Sequence, residues 1–144
     1  VNQLNLSAVV GSLIVNQSKR VSRKTKLVDY SYAVIELMDG NSNYKKFENE
    51  EVVLTVYNLA EIYWHAIHEY TEDQSDEIYE MYKLSVFEIS DEVLKKAIKF
   101  RKENKKKNLS YADCVGYIYS LENNLKFLTG DKEFEGMKGV EFVK

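Results

Sequence analysis

From Lys26 onward, short runs rich in β-branched and apolar residues alternate with stretches whose apolar residues recur at helical spacing. That alternation narrows the fold sharply. Two parallel strands cannot be joined by a tight turn, so strand–helix–strand order implies crossovers and a sheet with helices laid on both faces. The expectation is an α/β fold, a three-layer α/β/α domain around a central, mostly parallel sheet of about five strands.

Lys26-Leu27-Val28 reads as the first strand, and 32–38 as a short apolar helix ended by Asp39-Gly40-Asn41. The β-branched run 51–56 reads as the second strand. Asn58 then reads as the cap of a helix over 59–70, with Glu61 at its third position. The acidic stretch 69–80 spans the end of one helix and the start of an antiparallel one, and 84–89 reads as the third strand. Ser90 caps a helix whose Val93, Leu94, Ala97, Ile98 and Arg101 share one face. Ser110 caps the next, with Asp113 three residues on. A strand at 126–129, a short helix through Phe134 and a strand at 140–143 close the chain.

A chain of 144 residues, 44% hydrophobic and 30% charged, fits one globular domain with its own core and excludes a disordered chain. Residues 26–144 are assigned to that domain, and residues 1–25 to an N-terminal extension with no assigned role. The apolar run 4–15 is shorter than the ~20 residues a membrane span needs. No Lys or Arg precedes it, so a signal peptide is not expected. The basic run that follows, Lys19 to Lys26, reads as a solvated linker. A single cysteine, Cys114, rules out an internal disulfide and suits a reducing compartment, hence a cytoplasmic location. Neither GxGxxG nor GxxxxGK occurs, which argues against dinucleotide or P-loop binding.

Ligands of open parallel sheets bind outside the carboxyl ends of the strands. Asp29 follows the first strand, Glu61 opens the helix after the second, Asp113 opens the helix before the fourth, and Asp131 follows the fourth. Each acid has a plain alternative: Glu61 and Asp113 as first-turn residues worth about 1 kcal/mol, Asp131 as a turn residue, Asp29 as a strand-end residue. Gathered on one rim, however, four carboxylates repel one another and favour a divalent cation. Hard oxygen donors without a cysteine cluster select Mg²⁺ or Mn²⁺, the ions that drive phosphodiester hydrolysis.

Glu61, His65 and His68 also fall on one helical face at a spacing that can ligate zinc, but packing or surface roles are favoured because no cysteine cluster accompanies them. Trp64 and most tyrosines are assigned to the core or to a dimer interface rather than to base stacking. Lys102, Lys105, Lys106 and Lys107 run into the Ser110 helix and are assigned as nucleic-acid contacts beside the acids.

The segments Lys26-Leu27-Val28-Asp29-Tyr30-Ser31, Asn58-Leu59-Ala60-Glu61-Ile62-Tyr63-Trp64, Leu109-Ser110-Tyr111-Ala112-Asp113 and Leu128-Thr129-Gly130-Asp131-Lys132-Glu133-Phe134, in that order, resemble the PIN domain family, in particular the small prokaryotic VapC-type toxins. The resemblance implies a metal-dependent ribonuclease using Mg²⁺ or Mn²⁺, with Asp29, Glu61, Asp113 and Asp131 matching the family's acidic quartet. Thr129 matches a position where the family often has a supporting hydroxyl, and Ser31, one residue beyond Tyr30, is a second supporting candidate. It implies hydrolysis leaving a 5′-phosphate and a 3′-hydroxyl, an antitoxin partner, which the acidic stretch 69–80 would attract, and a homodimer. Tyr30 stands where the family commonly has Thr. The alternative in another class is a catalytically silent PIN-like module that binds RNA or a protein.

Overall fold

The computed structural model describes residues 27–28, 31–47 and 53–144, so Asp29, Tyr30 and the N-terminal extension lie outside the described residues. Strand β1 (Leu27–Val28) is followed by α1 (Ser31–Met38), a 3-10 helix at Ser42–Phe47, α2 (Val56–Glu69), α3 (Glu72–Lys83), α4 (Asp91–Glu103) and α5 (Tyr111–Glu122). Then come β2 (Lys126–Thr129), a 3-10 turn at Lys132–Phe134 and β3 (Val140–Phe142). Helix α1 ends where Gly40, at φ 80°, takes the left-handed backbone, and the Asn41 amide reaches back to the Glu36 carbonyl (2.8 Å).

The three strands form one parallel sheet with β2 in the middle: Val28 pairs with Phe127, and Thr129 pairs with Phe142. The expected second and third strands meet, among the described residues, only as an isolated parallel bridge between Leu54 and Val86. The Leu54 amide donates to the Ser85 carbonyl (2.9 Å), and the Phe87 amide donates to the Leu54 carbonyl (2.8 Å).

Capping chemistry explains why the second strand is so short. Thr55, not Asn58, is the N-cap of α2: its hydroxyl accepts the Asn58 amide (3.3 Å) while the Asn58 side-chain oxygen accepts the Thr55 amide (2.8 Å). Two orphan donors are satisfied at once, and the helix starts at Val56 despite the β propensity of the run before it. Glu61 therefore lies beyond the first turn, and the cap role open to it from sequence is excluded. The expected caps at Ser90 and Ser110 are both present. Thr71 and Gln74 form a further capping box at α3, whose first turn carries Glu72 and Asp73 at the positive end of the helix dipole.

The sheet separates two cores. Leu128 shares a core with Leu54 of the isolated bridge and with Val34, Leu59, Ile62, Ala66, Ile78 and Tyr82 from α1, α2 and α3. Its neighbour Phe127 belongs to the other core, with Ala97 and Leu109 and with Cys114, Val115 and Tyr117 of α5. Successive residues of a strand point to opposite faces, so this division is what places helices on both sides of β2. Trp64 is not a core residue: it is 67% exposed, on the side of α2 opposite Leu59, Ile62 and Ala66. Among the described residues no helix is long and apolar enough to cross a membrane.

Candidate carboxylate site

Three of the four acids proposed from the sequence act on one another. Glu61 comes from α2, Asp113 from the first turn of α5, and Asp131 from the turn after β2. Burial pushes the Glu61 carboxyl above its ordinary range; a hydrogen bond from the Ser31 hydroxyl opposes this, and repulsion from Asp113 adds to it. Asp113 is raised in the same way, first by burial, against stabilising bonds from Ser110, with repulsion from Asp131. Negative charge is thus costly at two half-buried groups that repel each other.

Each acid is oriented by its own local device. The Ser110 amide donates to Asp113 Oδ2 (2.9 Å) and the Asp113 amide donates to the Ser110 hydroxyl (3.0 Å). The Asp131 amide donates to the buried Thr129 hydroxyl (3.1 Å), and Asp131 Oδ1 accepts the Glu133 amide (2.9 Å). Asp113 and Asp131 are therefore capping residues as well as site candidates. Gly130 between Thr129 and Asp131 is required by close packing: an added Cβ would lie 2.7 Å from the Tyr44 hydroxyl and clash with the edge of the Tyr32 ring.

Glu61 is held from below by a buried polar chain that spacing alone did not reveal. The Thr55 hydroxyl donates to Asn58 Oδ1 (2.7 Å), the Asn58 side-chain amide donates to the Ser31 hydroxyl (3.4 Å), and Ser31 in turn bonds Glu61. Thr55, Asn58 and Ser31 are all buried. Ser31 was a supporting candidate from sequence. Asn58 and Thr55 were not, although the Thr-x-x-Asn spacing is a capping-box signal.

Asp29 lies outside the described residues. Among the described residues no group of three or more His, Cys, Asp or Glu side chains is placed to hold a metal ion. The donor chemistry nevertheless fits a hard divalent cation: carboxylate oxygens only, with the charged forms of Glu61 and Asp113 penalised by burial and repulsion that such a cation would relieve. The histidines do not join Glu61. His65 Nε2 lies 2.9 Å from Asp39 Oδ1, and His68 Nδ1 lies 2.6 Å from the Trp64 carbonyl with its ring tilted against the Trp64 ring. Lys102, Lys105 and Lys106 are exposed, whereas Lys107 donates to the Glu133 carbonyl and ties the loop before α5 to the turn after Asp131. Cys114, fully buried beside Asp113, has its thiol pushed up to about 11 by burial, which excludes it as a thiolate ligand or nucleophile at neutral pH.

A family model described as PIN domain matches residues 28–140. No curated protein matches the sequence. A solved structure described as a toxin-antitoxin complex from Klebsiella pneumoniae is similar in fold, with a TM-score of 0.64 at 20% identity over 81% of this chain and 95% of that one.

Proposed function

Because the chain belongs to the PIN domain family, we propose that it is a metal-dependent endoribonuclease that hydrolyses RNA phosphodiester bonds and serves as the toxin of a toxin–antitoxin pair. The observation that carries this reading is that Asp113 lies close enough to repel both Glu61 and Asp131, the three arriving from separate elements. Ordinary caps have no reason to converge. Glu61 and Asp113, joined by Asp29, would hold the cation, and Asp131 would hold a second ion or orient the attacking water. Bound there, Mg²⁺ or Mn²⁺ supplies Lewis-acid activation of water and offsets charge at the leaving oxygen. Thr129 and Ser31 keep Asp131 and Glu61 in place through the bonds described above. Lys102, Lys105 and Lys106 offset the negative rim for an approaching polyanion.

The solved toxin-antitoxin complex of similar fold supports an antitoxin partner. A homodimer belongs to the same reading, supported by exposed Trp64 and Ile67 on α2. So does a sheet of about five strands in three layers, with the Leu54–Val86 bridge as its second and third strands. A cytoplasmic site of action, supported by the reduced lone Cys114, completes it. One observation favours a catalytically silent binding module instead: Asp113 and Asp131 each spend an oxygen on a local backbone amide.

Cleavage of a labelled single-stranded RNA by the purified full chain separates the two. Cleavage with Mn²⁺ that is abolished by EDTA and by Asp113→Asn supports the nuclease. RNA bound but left intact under every condition, by a folded protein free of antitoxin, supports the silent module.

A further inference from the structure

Beside Asp113 stands a feature that the carboxylates do not use. Tyr111, the first residue of α5, is 55% exposed. The Arg101 guanidinium lies over its ring, 4.4 Å from the centroid, and is anchored there by Nε donating to the Leu109 carbonyl (3.0 Å). Among the described residues Arg101 has no carboxylate partner, although Asp113 lies two residues beyond Tyr111. Arg101 is near enough to the residue after Asp113 to offset in part the rise in the Cys114 thiol. The result is a planar cation with unspent donors, held over an exposed aromatic ring at the rim of an acidic site.

Large exposed rings and unpaired guanidinium groups gain little in water, whereas a nucleotide uses both: the base stacks on the ring, and the phosphate oxygens take the guanidinium N–H groups. Exposed Lys102, Lys105 and Lys106 continue positive charge along the same end of α4 and its loop, which matches a polyanion rather than an acidic peptide side chain or two. Tyr32, the exposed ring near Asp131, is different. Its hydroxyl is bonded to Glu36, and its ring packs on Gly130 and lies 6.0 Å from Tyr44, so it serves as a wall.

We propose that the Arg101–Tyr111 pair is a nucleotide subsite next to the carboxylates, in which Tyr111 stacks one base of the bound RNA and the Arg101 guanidinium binds the adjoining phosphate. The inference rests on the nuclease reading and adds a specificity-determining position to it. It also orients the strand: the nucleotide held here is the neighbour of the phosphate at Asp113, and the lysines take the phosphates beyond.

The test is fluorescence anisotropy of a short labelled single-stranded RNA with the full chain carrying Asp113→Asn, repeated with the same RNA made abasic at successive single positions. Tyr111→Ala should weaken binding about tenfold, and Tyr111→Phe should restore most of it. At one position the abasic RNA should bind weakly and show no further loss with Tyr111→Ala. Arg101→Gln should lower the salt slope by about one phosphate contact, while Tyr111→Ala leaves that slope unchanged. Thermal midpoints within a few degrees of the parent establish that the variants are folded. Equal binding by Tyr111→Ala and the parent overturns the inference, as does a Tyr111→Ala loss of the same factor on every abasic RNA. If only an acidic peptide, and no RNA, binds at this pair, the inference is also overturned. Absence of RNA binding by the parent removes the nuclease reading and this inference together, whereas intact Mn²⁺-dependent cleavage with no Tyr111 effect removes this inference alone.

Discussion

The two faces of β2 position their acids by opposite means. On the Leu128 face, α2 begins with a capping box that is itself buried, and the box extends through Ser31 to Glu61. On the Phe127 face, α5 begins with a capping box open to solvent, and the box residue is the candidate acid Asp113. The cores differ in kind as well. The Leu128 side is largely aliphatic, while the Phe127 side is an aromatic knot in which Phe127, Phe134 and Tyr117 meet with centroids 4.9 to 5.5 Å apart. Such rings prefer tilted and edge-to-face contacts, which hold α5 and the Asp131 turn in a set relation. Glu61 is placed by buried hydrogen bonds, Asp113 by an exposed capping box and Asp131 by a half-buried turn packed on the aromatic knot.

Core truncation should produce the largest effects and break both faces alike. Phe127→Ala should cost about 3–5 kcal/mol and Leu128→Ala about 2–5 kcal/mol, each in a single cooperative urea transition, since one strand carries both. Separate transitions would show that the two cores are independent units. Asn58→Ala should cost about 2–3 kcal/mol, because it strands buried partners at Thr55 and Ser31. Ser110→Ala should cost about 1 kcal/mol, because water replaces its exposed cap. Equal costs in urea unfolding would erase the contrast between the two boxes.

A smaller effect has its sign set by the raised carboxyls. Glu61 and Asp113 keep their protons to higher pH in the folded chain than in the unfolded one. In metal-free protein, stability from these groups is greatest below the unfolded carboxylate range and falls as pH rises through their raised folded values. Asp113→Asn keeps an oxygen for the Ser110 amide and removes the repulsion. Its thermal midpoint should therefore match wild type at low pH and exceed it by a few degrees at neutral pH, as scanning calorimetry would report. A lower midpoint for the variant at neutral pH would refute the repulsion. Smallest of all, Cys114 should resist alkylation at neutral pH until urea unfolds the chain, as mass spectrometry would show.

How far this was legible in the sequence follows the same division. The start of α5 was readable because Ser110 and Asp113 complete a capping box three residues apart, and Ser90 and the Thr129-Gly130-Asp131 turn likewise carry their chemistry within a few residues. The start of α2 was not, since the β-branched run ending at Val56 looks like strand until Thr55 and Asn58 satisfy each other. The strand expected at 84–89 fails as an extended run because only Val86 is paired. The 3-10 helix at Ser42–Phe47 has no periodic signal, yet it buries Tyr44, whose hydroxyl holds the Val143 carbonyl at 2.8 Å. The link from Asn58 to Ser31 crosses from one helix to another, and local spacing carries no trace of it.

The central claim is that acids from both faces of the sheet share one divalent cation. Isothermal titration of the full chain with Mn²⁺, beside Glu61→Gln and Asp113→Asn, tests it most directly. The account predicts binding by the wild-type chain with proton release at mildly acidic pH, as the raised carboxyls give up their protons, and at least tenfold weaker binding by each variant. Equal Mn²⁺ binding by all three proteins, or none by the folded wild type, would contradict it.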